Sequence, residues 1–93
     1  MAIFDQPRLT IGIPTYDRPH LLGTAIASAL GQQRPARVLI ADQTGKAADA
    51  VKPWLKSPLV SYLRTDATGL WDNWCRAAES CTTEFFSWLQ DDD

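Results

Sequence analysis

The chain ends in three consecutive aspartates, Asp91–Asp93, which follow Gln90 and a mostly apolar stretch, Phe85–Leu89. Such a stretch is typical of a buried strand, and carboxylates at its end suit the hard cations Mg²⁺ and Mn²⁺. Proteins usually hold these ions between one or two carboxylates and the phosphate groups of a bound molecule. The alternative is a solvated acidic tail, because runs of like charge are usually exposed.

A second group of candidate residues lies between the predicted first strand, Leu9–Ile13, and Pro19, which is expected in the first turn of a helix. The group consists of Pro14, Thr15, Tyr16, Asp17 and Arg18. A strand that breaks at a proline and leads into a helix is a place where nucleotides bind in open α/β sheets. The Tyr16 ring offers a face on which a base can stack, and Thr15 offers a hydroxyl for hydrogen bonding.

A third candidate group follows the predicted second strand, Val38–Ala41. The Asp42 carboxylate can accept hydrogen bonds from a base or a ribose, and Thr44 adds a hydroxyl. Asp and Thr are also common turn residues, so each of them alone has an ordinary structural explanation. Their convergence with the other two groups on one edge of a sheet would favour a binding site.

The elements that would position these residues alternate between strand and helix along the chain. This order predicts an α/β fold with a Rossmann-like parallel sheet of roughly four strands and three helices. Right-handed crossovers would then place the carboxyl end of every strand on the same edge. In the third predicted helix, an apolar stripe at Trp71, Trp74, Cys75 and Ala78 is expected to face the core.

Composition excludes several classes of protein. At 93 residues, with 45% apolar and 22% charged residues, the chain fits one small globular domain rather than a disordered segment. A net charge of −2 without a basic cluster argues against nucleic-acid binding. No secretory signal or membrane span is evident, which favours a cytoplasmic location. Cys75 and Cys81 do not make a zinc site, so we expect free thiols.

Three segments in order resemble the donor-binding, N-terminal part of family 2 glycosyltransferases. They are Ile13–Pro19, the strand end Leu39–Asp42, and Glu84–Asp92, so that the resemblance extends over about residues 9–93. It implies a nucleotide-diphospho-sugar transferase fold of the A type, truncated at its C-terminal side. It also implies a nucleotide-diphospho-sugar donor, by default a UDP-sugar, a saccharide or other hydroxyl acceptor, and a divalent cofactor, Mn²⁺ or Mg²⁺.

The resemblance also assigns roles to residues. Tyr16 would lie against the uracil, Asp42 would contact the base, and the acidic strand end would bind the metal that bridges the two phosphates. The predicted nucleotide-sugar-binding residues are Pro14, Thr15, Tyr16, Arg18, Asp42 and Asp91, and the predicted metal ligands are Asp92 and Asp93. The chain departs from the family pattern at Ala41 and Gln90, where an acid is common. The acidic motif either starts at Gln90 and ends at Asp92, or has Asp91 and Asp93 as its pair of acids.

No catalytic residue is predicted, because the resemblance places the general base beyond residue 93. Asp66 and Asp72 are candidates by residue type alone, and acids that complement the dipole at a helix N-terminus are the alternative explanation. The chain alone is therefore expected to be inactive. A non-catalytic module that binds a nucleotide, a metal or a partner remains the rival function. A sheet ending at Phe85–Leu89 would also leave an apolar edge, which predicts self-association.

Overall fold

The computed structural model describes residues 8–15, 19–31 and 36–89. The strands are β1 (Leu9–Thr15), β2 (Arg37–Asp42), β3 (Val60–Arg64) and β4 (Phe85–Trp88). The helices are α1 (Pro19–Leu30), α2 (Ala48–Val51) and α3 (Leu70–Glu79), and a 3₁₀ helix (Lys52–Lys56) directly follows α2. The alternation of strands and helices predicted from the sequence is confirmed.

All four strands belong to one parallel sheet with the order β3-β2-β1-β4. In the register of this sheet Thr15 pairs with Asp42, and Asp42 pairs with Arg64. The last residues of three adjacent strands therefore form one row. This row is the edge on which the sequence predicted the candidate site.

The core lies between the two central strands and the helices that cover them. Ile13 of β1 and Ile40 of β2 have no exposed surface, and the same is true of Leu22 and Ile26 of α1. Complete burial of one such side chain stabilises the fold by roughly 1.5–3 kcal/mol. Leu22 and Ile26 are four positions apart, so they lie on the same face of α1, which is the face that packs on the sheet.

Strand β1 continues through Pro14 instead of ending there, so the predicted break at this proline is wrong. Pro14 pairs with Ala41 of β2, whereas the pairing of β1 with β4 ends at Gly12. A proline is tolerated in a strand where its missing N–H is not needed by a neighbouring strand. Beyond Gly12, β2 is the only strand of the described sheet that pairs with β1, which makes room for Pro14.

The buried face of α3 is not the predicted aromatic stripe. Asn73 and Ala77 are the buried residues of this helix, whereas the Trp71 side chain is 74% exposed. On this face Asn73 donates to the Ala41 carbonyl of β2, so α3 meets the sheet through a hydrogen-bonded amide and a small side chain. Both cysteines are free thiols of intermediate exposure, as expected.

An aromatic layer, defined as Trp74, Phe86 and Trp88, joins α3 to β4. The rings of Trp74 and Trp88 are stacked with centroids 5.1 Å apart, and Phe86 meets Trp88 edge-on at 4.6 Å. The layer lies over Gly12, where an added Cβ would come within 2.5 Å of Phe86 Cζ. Glycine at this position therefore makes space for two aromatic rings.

Among the helices of the described residues, none is long and apolar enough to cross a membrane.

Candidate functional site

Thr15 and Asp42 lie side by side at the carboxyl edge of the sheet. They are register partners on β1 and β2, and both are almost completely buried, at 2% and 0% exposure. The Gln43 N–H donates to the Thr15 carbonyl at 3.1 Å, so the ladder between the two strands extends into the loop that follows β2. The structure thus brings together two of the predicted binding residues that come from different strands.

The Asp42 carboxylate holds the loop that follows β2. Its Oδ1 accepts from the Thr44 N–H at 3.1 Å and from the Thr44 hydroxyl at 3.4 Å. Its Oδ2 accepts from the Ala47 N–H at 2.9 Å and from the Tyr62 hydroxyl at 2.6 Å. A buried carboxylate is costly unless it is hydrogen-bonded, and these four donors offset that cost.

The turn of this loop requires glycine at position 45. Gly45 has a φ of +84°, a conformation that L side chains rarely adopt. An added Cβ would also lie 2.9 Å from Nη1 of Arg64, so the guanidinium packs directly on the loop. Arg64 is fixed in turn by Asp66, whose Oδ1 accepts from its Nε at 2.8 Å. The loop is therefore held by the hydrogen bonds to Asp42, and the largely exposed Arg64 side chain lies against its Gly45 turn.

Tyr62 is a site residue that the sequence reasoning missed. It lies on β3 and pairs in register with Ile40, so that its side chain reaches the Asp42 carboxylate from the neighbouring strand. Burial, and then the hydrogen bond to Asp42, raise the pKa of the Tyr62 phenol well above its usual range. The phenol therefore stays protonated and remains a donor to Asp42 at physiological pH.

Asn73 is a second residue that was missed. It is 1% exposed, its Nδ2 donates to the Ala41 carbonyl at 3.0 Å, and its Oδ1 accepts from the Thr65 hydroxyl. These bonds attach α3 to the end of β2 and to the segment after β3. The sequence signal that could have found it is a short amide within an otherwise helical segment, where such a residue is unfavourable without a partner.

Asp66 and Asp72, considered as catalytic bases by residue type, are both held in local contacts. Asp72 Oδ2 accepts from the Thr68 N–H and from Arg76 Nε, each at 3.0 Å. These contacts, with the Thr68 N–H as the largest, hold the pKa of Asp72 below its usual range. These contacts agree with the alternative explanation of Asp72, in which the acid complements the dipole at the N-terminus of a helix. Asp72 lies in the first turn of α3.

Several predicted site residues lie outside the described residues. They are Tyr16, Arg18 and Asp91 of the nucleotide-sugar set and both metal ligands, Asp92 and Asp93. Pro14 is described and lies within β1, directly before Thr15. Within the described ranges no group of three or more His, Cys, Asp or Glu side chains is placed to hold a metal ion.

A small cavity of about 110 Å³ lies at the opposite, amino edge of the sheet. It is lined in part by Thr10, Arg37, Ser61 and Cys81. Slight burial would raise the pKa of the Cys81 thiol, but hydrogen bonds with Thr83 and Thr10 outweigh this effect and lower it. None of the predicted binding residues lines this cavity, so it is separate from the candidate site.

A comparison with known protein families gave a match over most of the chain. Residues 10–93 match the family model described as Glycosyl transferase family 2. The matched segment includes β1 to β4 almost entirely and contains every residue of the carboxyl edge described above. A search of curated proteins found no match.

Proposed function

Because this chain belongs to glycosyl transferase family 2, we propose that its carboxyl edge binds a nucleotide-diphospho-sugar, with a UDP-sugar as the donor. The sugar would be transferred to a hydroxyl of a saccharide or another acceptor. The residues proposed to bind the donor are Pro14, Thr15, Tyr16, Arg18, Asp42 and Asp91.

The observation that supports the proposal most is the pairing of Thr15 with Asp42 at this edge. Two residues separated by 26 intervening positions are brought together by the parallel register of β1 and β2. In open α/β sheets, ligands bind in the crevice outside the carboxyl ends of the strands. Four hydrogen bonds fix the Asp42 carboxylate beside this crevice, and such preorganisation favours recognition of a ligand with fixed geometry.

The acids at the end of the chain suit a divalent cation by their chemistry. Asp92 and Asp93 supply carboxylate oxygens, the ligand type that Mg²⁺ and Mn²⁺ prefer. When bound, such an ion would neutralise negative charge that develops on the diphosphate. We propose Asp92 as the direct ligand, with Asp91 and Asp93 beside it.

We expect this chain by itself to bind the donor without transferring the sugar. An inverting transfer needs a general base near the acceptor hydroxyl. Asp66 and Asp72 are already committed to Arg64 and to the start of α3. A nucleotide-binding module without its own catalytic activity is therefore the second candidate function for this chain.

Calorimetric titration of UDP into the chain, with and without Mn²⁺, tests the proposal. Asp92→Asn should abolish the metal-dependent part of the affinity, and Asp42→Asn should weaken UDP binding about 10-fold or more. Glu79→Gln is the matched control, because this exposed acid lies in the last turn of α3, away from the carboxyl edge. It should bind UDP like the wild type.

The outcomes separate the parts of the proposal. If the folded wild-type chain binds no UDP and no other nucleoside diphosphate, donor binding by this chain is wrong. If UDP binds equally with and without Mn²⁺, the metal site is wrong and the nucleotide site stands. If Glu79→Gln weakens binding as much as Asp92→Asn, the effect is one of total charge rather than of a site.

A further inference from the structure

The two oxygens of the Asp42 carboxylate have unequal partners. Oδ2 accepts two short bonds, from the Tyr62 hydroxyl at 2.6 Å and from the Ala47 N–H at 2.9 Å. Oδ1 accepts two longer ones, from the N–H and the hydroxyl of Thr44, at 3.1 and 3.4 Å. A hydrogen bond between two oxygens is normally 2.5–3.0 Å long, so the contact with the Thr44 hydroxyl is weak.

This asymmetry decides which oxygen a ligand can use. A carboxylate has about four acceptor positions, and Asp42 already has four donors, so a new donor must replace one of them. The two backbone N–H groups are fixed by the loop, and the Tyr62 bond is short. The Thr44 hydroxyl is the partner most easily displaced, because its bond to Oδ1 is the longest of the four and its other contact, as acceptor from the Lys46 N–H, is also long at 3.3 Å.

Tyr62 is suited to hold Oδ2 permanently. It is half-buried on β3, a strand paired with β2 over five residue pairs, so the position of its ring is set by the sheet and not by the loop. Its raised pKa keeps the hydroxyl protonated. An O–H donor to an ionised acceptor makes one of the stronger types of hydrogen bond in proteins.

We propose that Tyr62 is a positioning residue for nucleotide recognition. Together with the Ala47 N–H it fixes Oδ2 of Asp42, and this leaves Oδ1 as the oxygen that accepts a ring N–H of the bound base. The Thr44 hydroxyl covers Oδ1 and turns away when the base binds. This inference rests on the proposed function, since it assumes that the carboxyl edge binds a pyrimidine nucleotide.

The test compares UDP with its N3-methyl analogue, which lacks the ring N–H but keeps the ribose and both phosphates. Wild-type protein should bind UDP about 10-fold more tightly than the analogue, the size expected for one hydrogen bond to a charged group. Tyr62→Phe should reduce this ratio to about 3-fold or less, because Oδ1 is no longer held in place. Affinity for the analogue should change less than about 2-fold.

The decisive quantity is the ratio of the affinities for UDP and for the analogue. A purely structural role of Tyr62 would weaken the binding of both ligands equally and leave this ratio unchanged. Ser61→Ala is the control, since this exposed neighbour on β3 faces away from Asp42 in the alternation of the strand. Far-UV circular dichroism and thermal unfolding establish that each variant is folded. A Tyr62→Phe protein that keeps the full wild-type ratio overturns the inference and leaves the proposed function standing. Failure of the wild type to bind either ligand overturns the inference, and failure to bind any nucleoside diphosphate overturns the proposed function as well.

A second variant tests the inference if Tyr62→Phe does not fold. Thr44→Ala removes the hydroxyl that covers Oδ1 but keeps the N–H donor at that position. UDP should then bind about 2- to 5-fold more tightly, because the base no longer has to displace the Thr44 hydroxyl from Oδ1. The affinity for the analogue should not change, because the analogue has no ring N–H to donate. Weaker binding of UDP by Thr44→Ala would mean that the hydroxyl contacts the ligand, and would overturn the inference.

Discussion

Asn73 is a single side chain on which three parts of the site depend. It sits on α3, donates to the Ala41 carbonyl of β2 and accepts from the Thr65 hydroxyl after β3. Asn73→Ala would leave the buried Ala41 carbonyl and the buried Thr65 hydroxyl without these partners. Each unsatisfied buried group costs roughly 1–3 kcal/mol, so for the two groups we expect the free energy of unfolding to fall by about 2–6 kcal/mol. Urea denaturation followed by circular dichroism measures this loss.

The control for this experiment is Glu79→Ala, an exposed change on the same helix. Because surface substitutions usually stay within about 0.5 kcal/mol, it should leave the unfolding midpoint almost unchanged. Equal effects of the two variants would show that α3 tolerates loss of the amide, and that the two hydrogen bonds contribute little.

At the residue scale the sequence predicts positions better than partners. Asp42 and Thr15 could be assigned to the carboxyl edge from the alternation of strands and helices, and the structure confirms their position there. Tyr62 could not, because its partner Asp42 is 20 residues away and the contact depends on the register of two strands. A sequence pattern identifies which strand a residue belongs to, but not which side chain of the next strand it meets.

The contact between α3 and β4 depends on a glycine in a third element. Gly12 of β1 lies beneath Phe86 and Trp88, and an alanine Cβ there would be 2.5 Å from Phe86 Cζ and 2.9 Å from Trp88 Cζ3. Both rings would have to move, and overpacking of this kind costs roughly 1–3 kcal/mol. We expect Gly12→Ala to lower the free energy of unfolding by that amount and to change tryptophan fluorescence, because Trp88 stacks on Trp74.

A double-mutant cycle shows whether the clash is the cause. Phe86→Leu alone removes a ring and should also destabilise the protein, but it provides the space that the alanine needs. The combined variant should therefore be more stable than the sum of the two single changes predicts, by about 0.5–3 kcal/mol. If the two changes in the free energy of unfolding are strictly additive, the steric clash with Phe86 is not the cause. The loss would then come from an effect of alanine on the backbone at position 12.

Helix α3 shows where periodicity fails at the scale of an element. Its apolar residues recur at helical spacing, yet Trp71 is 74% exposed while Asn73 and Ala77 are buried. Periodicity locates the helix correctly but cannot decide which face meets the sheet when one face is lined with bulky rings. Of the two indoles of α3, Trp74 stacks on Trp88 of β4, whereas Trp71 stays largely exposed.

The overall topology of the sheet can be predicted from the sequence more directly than individual side-chain contacts can. Short connections, alternating patterns and the handedness of crossovers leave few arrangements for four parallel strands, and the order β3-β2-β1-β4 is one of them. The pairing of β4 with β1 creates an edge strand on which Phe85 is 57% exposed. Within the described sheet, no strand pairs with the outer side of β4.

This edge predicts self-association of the chain. An exposed strand with apolar side chains offers free backbone groups to a second copy, and a net charge of −2 gives little repulsion between copies. We expect sedimentation velocity to show dimers or larger species that increase with concentration. They should also increase as the pH falls from 7 toward the pI of about 5.2, where the net charge vanishes.

A lysine placed on each edge of the sheet tests which strand is responsible. Phe85→Lys puts a charge on β4 and should shift the protein to monomer, since lysine on an edge strand disfavours pairing with another copy. Ser61→Lys adds the same charge to β3, the opposite edge, and should leave the association almost as it is. Both lysines change the net charge equally, so a difference between them cannot arise from general repulsion. Equal monomerisation by the two variants, or a wild type that is monomeric at every concentration, would contradict the prediction.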